Sequence, residues 1–89
     1  MITQPVTIIN KLGLHARAAA KFVTLALKYQ SEIEVKRGDR TVNGKSIMGI
    51  MLLAASKGTE LEICISGEDA SEAMSALVAL VNNRFDEAE

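Results

Sequence analysis

The chain has 89 residues, with 10 Lys and Arg, 11 Asp and Glu, and a formal net charge of −1. This length predicts one domain over residues 1–89, and a hydrophobic fraction of 48 % allows folding rather than disorder. The balanced charge argues against nucleic-acid binding, which favours a basic excess. Neither an apolar run of about 20 residues nor a signal-peptide pattern is present, so we expect a cytoplasmic protein without membrane insertion.

The chain has only one cysteine and one histidine, which limits the metal binding and redox chemistry that it can support. Cys64 is the only cysteine, so no internal disulfide can form. It lies in an alternating apolar segment, which indicates a buried and unreactive thiol. A single histidine and a single cysteine far apart in sequence do not form a metal site. We therefore expect neither a metal ion nor a cofactor.

The first strand and the first helix are predicted from hydrophobic periodicity. Residues 2–10 are rich in β-branched side chains, with Val6 and Ile8 on one face, and Pro5 favours an edge position or a strand end. After a turn, residues 16–28 show the spacing of an amphipathic helix. The predicted apolar face of that helix consists of Ala19, Phe22, Val23, Ala26 and Leu27.

A β-hairpin is predicted in the middle of the chain. Residues 31–37 alternate, which places Ile33 and Val35 on the inner face of a second strand. The dipeptide Gly38-Asp39 is typical of a two-residue hairpin turn. Residues 40–43 would then form a short third strand.

Two more helices and one more strand complete the chain. A short helix is predicted from Ser46 to about Leu53, and residues 60–66 alternate strictly, as in a strand. The third helix begins after Asp69, and Glu72 three residues later is close to the capping-box pattern. Its predicted inner face consists of Ala73, Leu77, Leu80 and Val81.

The polar end of the chain, residues 82–89, is expected to fray. The order of elements is therefore βαββαβα. This order predicts an α+β fold in which a four-stranded sheet is covered by three helices.

The only histidine occupies an unusual position directly before the first helix. Ser, Thr, Asp or Asn normally caps such a helix, but here His15 leaves the amides of Ala16, Arg17 and Ala18 without a strong side-chain acceptor. Free amides at a helix N-terminus form an anion site, and Arg17 adds a guanidinium that can bind a phosphate. The helix terminus and Arg17 disfavour an imidazolium, so a neutral, nucleophilic ring is expected. This combination suits phosphoryl transfer, although a lone histidine near a helix start is more often an ordinary surface residue.

The second predicted helix has no polar face. Ser46 is a normal N-cap, and the apolar residues that follow it are Ile47, Met48, Ile50, Met51, Leu52 and Leu53. A short helix on a small domain cannot bury all of these side chains, so an exposed surface that contacts a partner is predicted. The alternative is a helix covered by a loop.

Three segments carry a resemblance to a known family: GLHARAAA at 13–20, VNGKSIMGIM at 42–51 and AASKGTELEI at 54–63. They resemble the HPr family, the histidine-containing phosphocarriers of the bacterial phosphoenolpyruvate-dependent phosphotransferase system (PTS), and the similarity extends over essentially the whole chain. The resemblance implies an open-faced sandwich, with a four-stranded antiparallel sheet of strand order 1-4-2-3 and three helices on one side. The hydrophobic pattern does not determine this strand order.

The resemblance also implies roles for individual residues. His15 matches the histidine that is phosphorylated through Nδ1, Arg17 matches the arginine beside it, and Ser46 matches a serine that a dedicated HPr kinase/phosphorylase modifies in many bacteria. The surface that docks enzyme I and the IIA components corresponds to Ile47, Met48 and Met51. Two positions depart from the family pattern: Ala18 replaces a usual proline, and Leu12 replaces a small polar residue that can cap the helix.

The function implied by the resemblance is that of a monomeric carrier. His15 would accept a phosphoryl group from phosphorylated enzyme I and pass it to a IIA component, so the protein would be a covalent intermediate rather than an enzyme that turns over substrate. A nitrogen-branch relative, NPr, remains an alternative, because NNRFDE at 82–87 is slightly similar to that branch whereas GKSIMG at 44–49 favours HPr. A binding module without phosphorylation would not need His15, and a small hydrolase would need a second acid or base that the sequence does not offer.

Overall fold

The computed structural model describes every residue from Met1 to Glu89. The strands are β1 (Ile2–Thr7), β2 (Glu32–Arg37), β3 (Arg40–Asn43) and β4 (Glu60–Ser66). The helices are α1 (Ala16–Ala26), α2 (Ile47–Leu52) and α3 (Ala70–Asn82). The predicted βαββαβα order and the α+β class are confirmed.

The four strands form one antiparallel sheet in the order β1-β4-β2-β3. This is the order that the resemblance implied. Because β1 lies at an edge, Pro5 removes no hydrogen bond from a central strand. The pairing of Arg37 with Arg40 leaves Gly38 and Asp39 as the two-residue turn of the β2–β3 hairpin, as the sequence predicts.

One face of the sheet packs against the three helices. The alternation places Ile33 and Val35 in the core while Glu32 and Glu34 point to solvent on the other face. A single cluster of 21 buried apolar residues joins the sheet to the helices. Cys64 is buried, as predicted. No helix combines the length and apolar character needed to cross a lipid bilayer.

The first predicted strand and the first predicted helix are both longer than the elements in the structure. Strand β1 ends at Thr7 rather than near residue 10, and α1 ends at Ala26 rather than Lys28. Leu27, predicted on the inner face of this helix, is 62 % exposed. It forms the C-cap, where the chain turns after the last helical residue and the helical spacing no longer applies.

The start of α3 differs from the predicted capping box. Asp69 lies at the N-cap position, but its side chain makes no capping hydrogen bond. Its carboxylate instead accepts hydrogen bonds from the backbone N–H groups of Gln30 (2.8 Å) and Ser31 (2.9 Å) and from the Ser31 hydroxyl. The acidic side chain therefore joins α3 to the segment before β2, rather than capping its own helix.

The expectation that residues 82–89 fray is wrong. Asn82 closes α3, and residues 84–89, here called the terminal strap, return to the protein. Arg84, Phe85 and Asp86 all have positive φ, between 53° and 64°, a conformation that costs about 1–2 kcal/mol per residue. The Phe85 side chain is fully buried, which contributes about 1.5–3 kcal/mol. An apolar anchor therefore offsets part of the backbone strain and holds the terminal strap in place.

Candidate functional site

The loop before α1 is fixed by a close backbone approach at Gly13. This residue has φ +68°, and a Cβ there would lie 2.6 Å from the carbonyl oxygen of Ala55. Any larger residue would therefore displace the loop. The neighbouring N–H of Leu14 donates to the same Ala55 oxygen at 2.8 Å, and the Leu14 side chain is buried. These contacts fix the backbone of the loop and therefore the position of His15, which follows it.

His15 occupies the N-cap of α1 in an extended conformation and makes no side-chain capping bond. The backbone N–H groups of the next three residues, 16–18, donate no hydrogen bond within the protein, as expected for an uncapped helix. Ala16 and Arg17 are exposed, whereas Ala18 has no exposed surface. The amides of Ala16 and Arg17 are therefore the more accessible donors for an anion.

The imidazole of His15 contacts a carboxylate of the terminal strap. Its Nε2 atom makes a hydrogen bond to Oε2 of Glu87. An ionised carboxylate only accepts hydrogen bonds, so Nε2 carries the hydrogen and donates it. In the neutral ring, Nδ1 is then the atom with the free lone pair.

Asn10 holds the other oxygen of this carboxylate. Its side-chain N–H₂ donates to Glu87 Oε1 at 2.9 Å and to the carbonyl oxygen of Gly13 at 2.8 Å. Asn10 is fully buried, and its own Oδ1 has no partner. The Asn10 hydrogen bond is the main reason that the pKa of Glu87 lies below its ordinary value. Burial opposes this, while the hydrogen bond from His15 and the positive charge of Lys21 add to it. Glu87 is therefore ionised near neutral pH.

Hydrogen bonds from Lys21 and Lys11 tie the terminal strap to the rest of the protein near this pair. Lys21, on α1, donates to the carbonyl oxygen of Phe85 at 2.8 Å. The backbone N–H of Lys11 donates to the carbonyl oxygen of Glu89 at 2.6 Å. An open depression on this side of the molecule is lined by Lys11, Leu12, His15, Ala16, Arg17, Lys21 and residues 86–89. Lys11 lies 3.6 Å from a carboxylate oxygen of Glu89 and Lys21 lies 4.0 Å from one of Asp86. Arg17 is therefore the one cation of this depression without a carboxylate partner, and the one available to an anionic ligand.

The second candidate site lies on α2, which packs against α1. The Ser46 hydroxyl oxygen accepts a hydrogen bond from the backbone N–H of Gly49 at 3.0 Å, so Ser46 caps the helix. Ile50 turns inward and is buried, but four large apolar side chains of α2 are exposed. They are Ile47, Met48, Met51 and Leu52, here called the α2 patch. The loop-covered alternative is therefore wrong, because no segment covers this face.

Two arginines of the β2–β3 hairpin hold the other end of α2. Arg37 donates to the carbonyl oxygens of Leu53 (2.6 Å) and Ala54 (2.9 Å), and Arg40 donates to that of Leu52 (2.6 Å). Cations at a helix C-terminus satisfy its free carbonyl groups. A helix of only six residues is thus fixed at both ends, and the α2 patch is presented in one orientation.

The structure brings His15, Ala16, Arg17 and Ala18 together at one helix end, and Ser46 with the α2 patch on the neighbouring helix. Sequence reasoning missed Asn10, Lys21 and Glu87. The one signal available was Phe85, an isolated large apolar residue in a polar segment, which indicates docking rather than fraying. No group of three His, Cys, Asp or Glu side chains is arranged to hold a metal ion.

Comparison with known proteins identifies the family. Residues 2–83 match the PTS-HPr family, described as "PTS HPr component phosphorylation site". The chain is 59 % identical to the phosphocarrier protein HPr of Pseudomonas aeruginosa, over 94 % of each chain. It is also similar to a crystal structure of HPr from Thermoanaerobacter tengcongensis, with 45 % identity, a TM-score of 0.96 and full coverage of both chains. A crystal structure of an HPr dimer from the same organism matches with 48 % identity and a TM-score of 0.79, covering 92 % of this chain and 94 % of that one.

The fold and the site therefore define a phosphocarrier protein. The chain belongs to the PTS-HPr family.

Proposed function

We propose that this protein carries a phosphoryl group on Nδ1 of His15, accepting it from phosphorylated enzyme I and passing it to a IIA component. The observation that carries the proposal is the uncapped start of α1, where His15 stands beside free backbone amides and the exposed Arg17. The amides and the guanidinium stabilise the negative oxygens of the transferring group. The hydrogen bond from Nε2 to Glu87 leaves Nδ1 as the nucleophile.

The protein acts as a substrate and product of its partners rather than as an enzyme. We propose that residues 1–89 act as one domain in the cytoplasm, without a cofactor. A monomer suffices for this role, since every group invoked lies on one chain; the HPr of Thermoanaerobacter tengcongensis has also been crystallised as a dimer. Sugar uptake remains the expected branch, with the nitrogen branch as its alternative.

The α2 patch is the proposed docking surface for both partners. It is apolar, exposed and rich in methionine, which adapts to different partner surfaces. Ile47, Met48 and Met51 form its predicted core, and Leu52 extends it. Ser46 lies at the start of the same helix, so an HPr kinase/phosphorylase that phosphorylates it would place about two negative charges beside the patch.

The test is to mix the protein with enzyme I and phosphoenolpyruvate and to locate the phosphate by mass spectrometry. We expect an acid-labile, alkali-stable phosphate on His15, and none on His15→Ala. Ser46→Ala is the matched control and should be labelled as well as the wild type. Undiminished labelling of His15→Ala would overturn the proposal. If the protein is a pure binding module, neither the wild type nor His15→Ala will be labelled.

A further inference from the structure

The carboxylate of Glu87 and the imidazole of His15 form a pair that the reaction can use. Glu87 Oε2 accepts the hydrogen bond from Nε2, and Asn10 holds Oε1 at 2.9 Å. The Glu87 side chain is 17 % exposed and that of His15 is 27 % exposed, so solvent screens the pair only in part. We propose that Glu87 is a positioning residue that fixes the reactive tautomer of His15 and stabilises the charge that its ring gains on phosphorylation. This proposal rests on the proposed function.

The placement of Glu87 depends on several independent contacts of the terminal strap. Phe85 is buried in the core, and its carbonyl oxygen accepts a hydrogen bond from Lys21. Three consecutive residues with positive φ precede Glu87, and this strained turn aims its carboxylate at the ring. Burial of Phe85 alone would be enough to anchor the end of the chain. Two residues later, however, Glu87 also contacts the buried side-chain amide of Asn10 and the ring of His15.

The chemical step accounts for the role of the carboxylate. The Nδ1 lone pair of His15 forms a bond to phosphorus, while the bond from phosphorus to the donor atom of enzyme I breaks and its electron pair stays with the donor. Nε2 keeps its hydrogen, so the ring gains a positive charge as the new bond forms. The Glu87 carboxylate faces this hydrogen and stabilises that charge, as carboxylates do for other catalytic histidines.

The pair also affects the equilibrium between carriers. Stabilising the phosphorylated ring favours acceptance from enzyme I, and it disfavours donation to the next acceptor by the same factor. A hydrogen bond to an ionised acceptor is roughly twice as strong as one to a neutral acceptor. We therefore expect loss of the charge to lower the equilibrium constant for acceptance by about fivefold to tenfold.

The experiment compares Glu87→Gln with Glu62→Gln. The first variant keeps the shape of the side chain and allows the hydrogen bond from Asn10, but it removes the charge that faces the ring. The second removes an equal charge from an exposed side chain of β4, which alternates with the buried Leu61 and Ile63 and so lies on the face of the sheet away from the helices. For each protein the rate and equilibrium constant of phosphoryl transfer from enzyme I are measured. Nitrogen-15 NMR of the imidazole reports which ring nitrogen carries the hydrogen, and circular dichroism reports the melting temperature.

The expected result has three parts. The wild-type ring carries its hydrogen on Nε2. Glu87→Gln shows a mixture of tautomers, a lower kcat with an unchanged KM, and a lower equilibrium constant. Glu62→Gln behaves as the wild type. A wild-type ring with its hydrogen on Nδ1 would overturn the proposal without any variant. So would a Glu87→Gln protein that keeps the wild-type tautomer or transfer equilibrium, whatever its melting temperature.

Failure of the carrier function can be distinguished from failure of this inference. If enzyme I does not phosphorylate the wild type on His15, the proposed function is wrong and the catalytic role of Glu87 falls with it. If the wild type is phosphorylated and Glu87→Gln is phosphorylated to the same equilibrium, the function stands and Glu87 serves only to hold the terminal strap.

Discussion

The carboxylate of Asp69 accepts hydrogen bonds from both the backbone N–H and the hydroxyl of Ser31, although Asp69 and Ser31 lie 38 positions apart in the chain. It joins the start of α3 to the segment that leads into β2. The Ser31 hydroxyl is the main reason that the pKa of Asp69 lies below its ordinary value, and the N–H of Gln30 adds to this, while burial opposes it.

We expect Asp69 to make stability depend on pH in the acid range. Because its pKa is lower in the folded protein than in the unfolded chain, its contribution is fully present above the ordinary value of 3.8 and is lost as the pH falls through the lower, folded value. Asp69→Asn should therefore be less stable than the wild type at neutral pH, and the difference should shrink towards pH 2. Urea unfolding at several pH values measures this. Glu68→Gln, at an exposed neighbouring position, is the control and should leave the difference small at every pH.

The second prediction concerns Arg17, whose side chain is exposed and donates no hydrogen bond within the protein. Arg17→Lys keeps the charge but loses the planar fork that binds two phosphate oxygens at once. Loss of one charged hydrogen bond of roughly 1.5 kcal/mol corresponds to about a tenfold lower kcat for transfer from enzyme I. Stopped-flow or quench-flow labelling measures this rate. Arg84→Lys, also exposed, should transfer at the wild-type rate; an equal rate for Arg17→Lys would reduce Arg17 to a surface charge.

The third prediction separates docking from folding at Ser46. Ser46→Asp keeps an oxygen that can accept the hydrogen bond from Gly49 and adds a negative charge at the start of α2, so thermal stability should be unchanged or higher. The same charge lies beside the α2 patch and should raise the KM for enzyme I more than it lowers kcat. Added salt should weaken the effect, because exposed charges are screened beyond about 8–10 Å.

Ser46→Ala is the matched control for this prediction. It removes the cap and should cost about 1 kcal/mol of stability while leaving the KM unchanged. If Ser46→Asp is phosphorylated with the wild-type KM, Ser46 is only a helix cap. If Ser46→Asp melts earlier than the wild type, the slower transfer results from damage to α2.

Local patterns predicted the elements of this fold well, and long-range contacts account for what they missed. The alternation of Ile33 with Val35 and the Gly38-Asp39 turn define β2 and its hairpin without any tertiary information. The strand order came from the resemblance, because alternation shows which face of a strand is buried but not which strand lies beside it.

The candidate site was predicted in part for the same reason. The absence of a cap at His15 is a local property, visible in the sequence and present in the structure. Its contact with Glu87 joins residues 72 positions apart, and no periodicity indicates it. Asp69 shows a related effect: it has the correct residue type and position to cap α3, but a distant partner, Ser31, competes for the same carboxylate.

The strand order has a consequence for synthesis on the ribosome. The strand β4 (Glu60–Ser66) pairs with both β1 and β2, which have no hydrogen bonds to each other. Before β4 emerges, the β2–β3 hairpin is the only native strand pairing that the nascent chain can form, and an isolated hairpin is marginally stable at best. The apolar faces of the N-terminal two-thirds of the polypeptide therefore stay uncovered until β4 is synthesised and completes the sheet. During this interval the nascent chain would be a substrate for a chaperone.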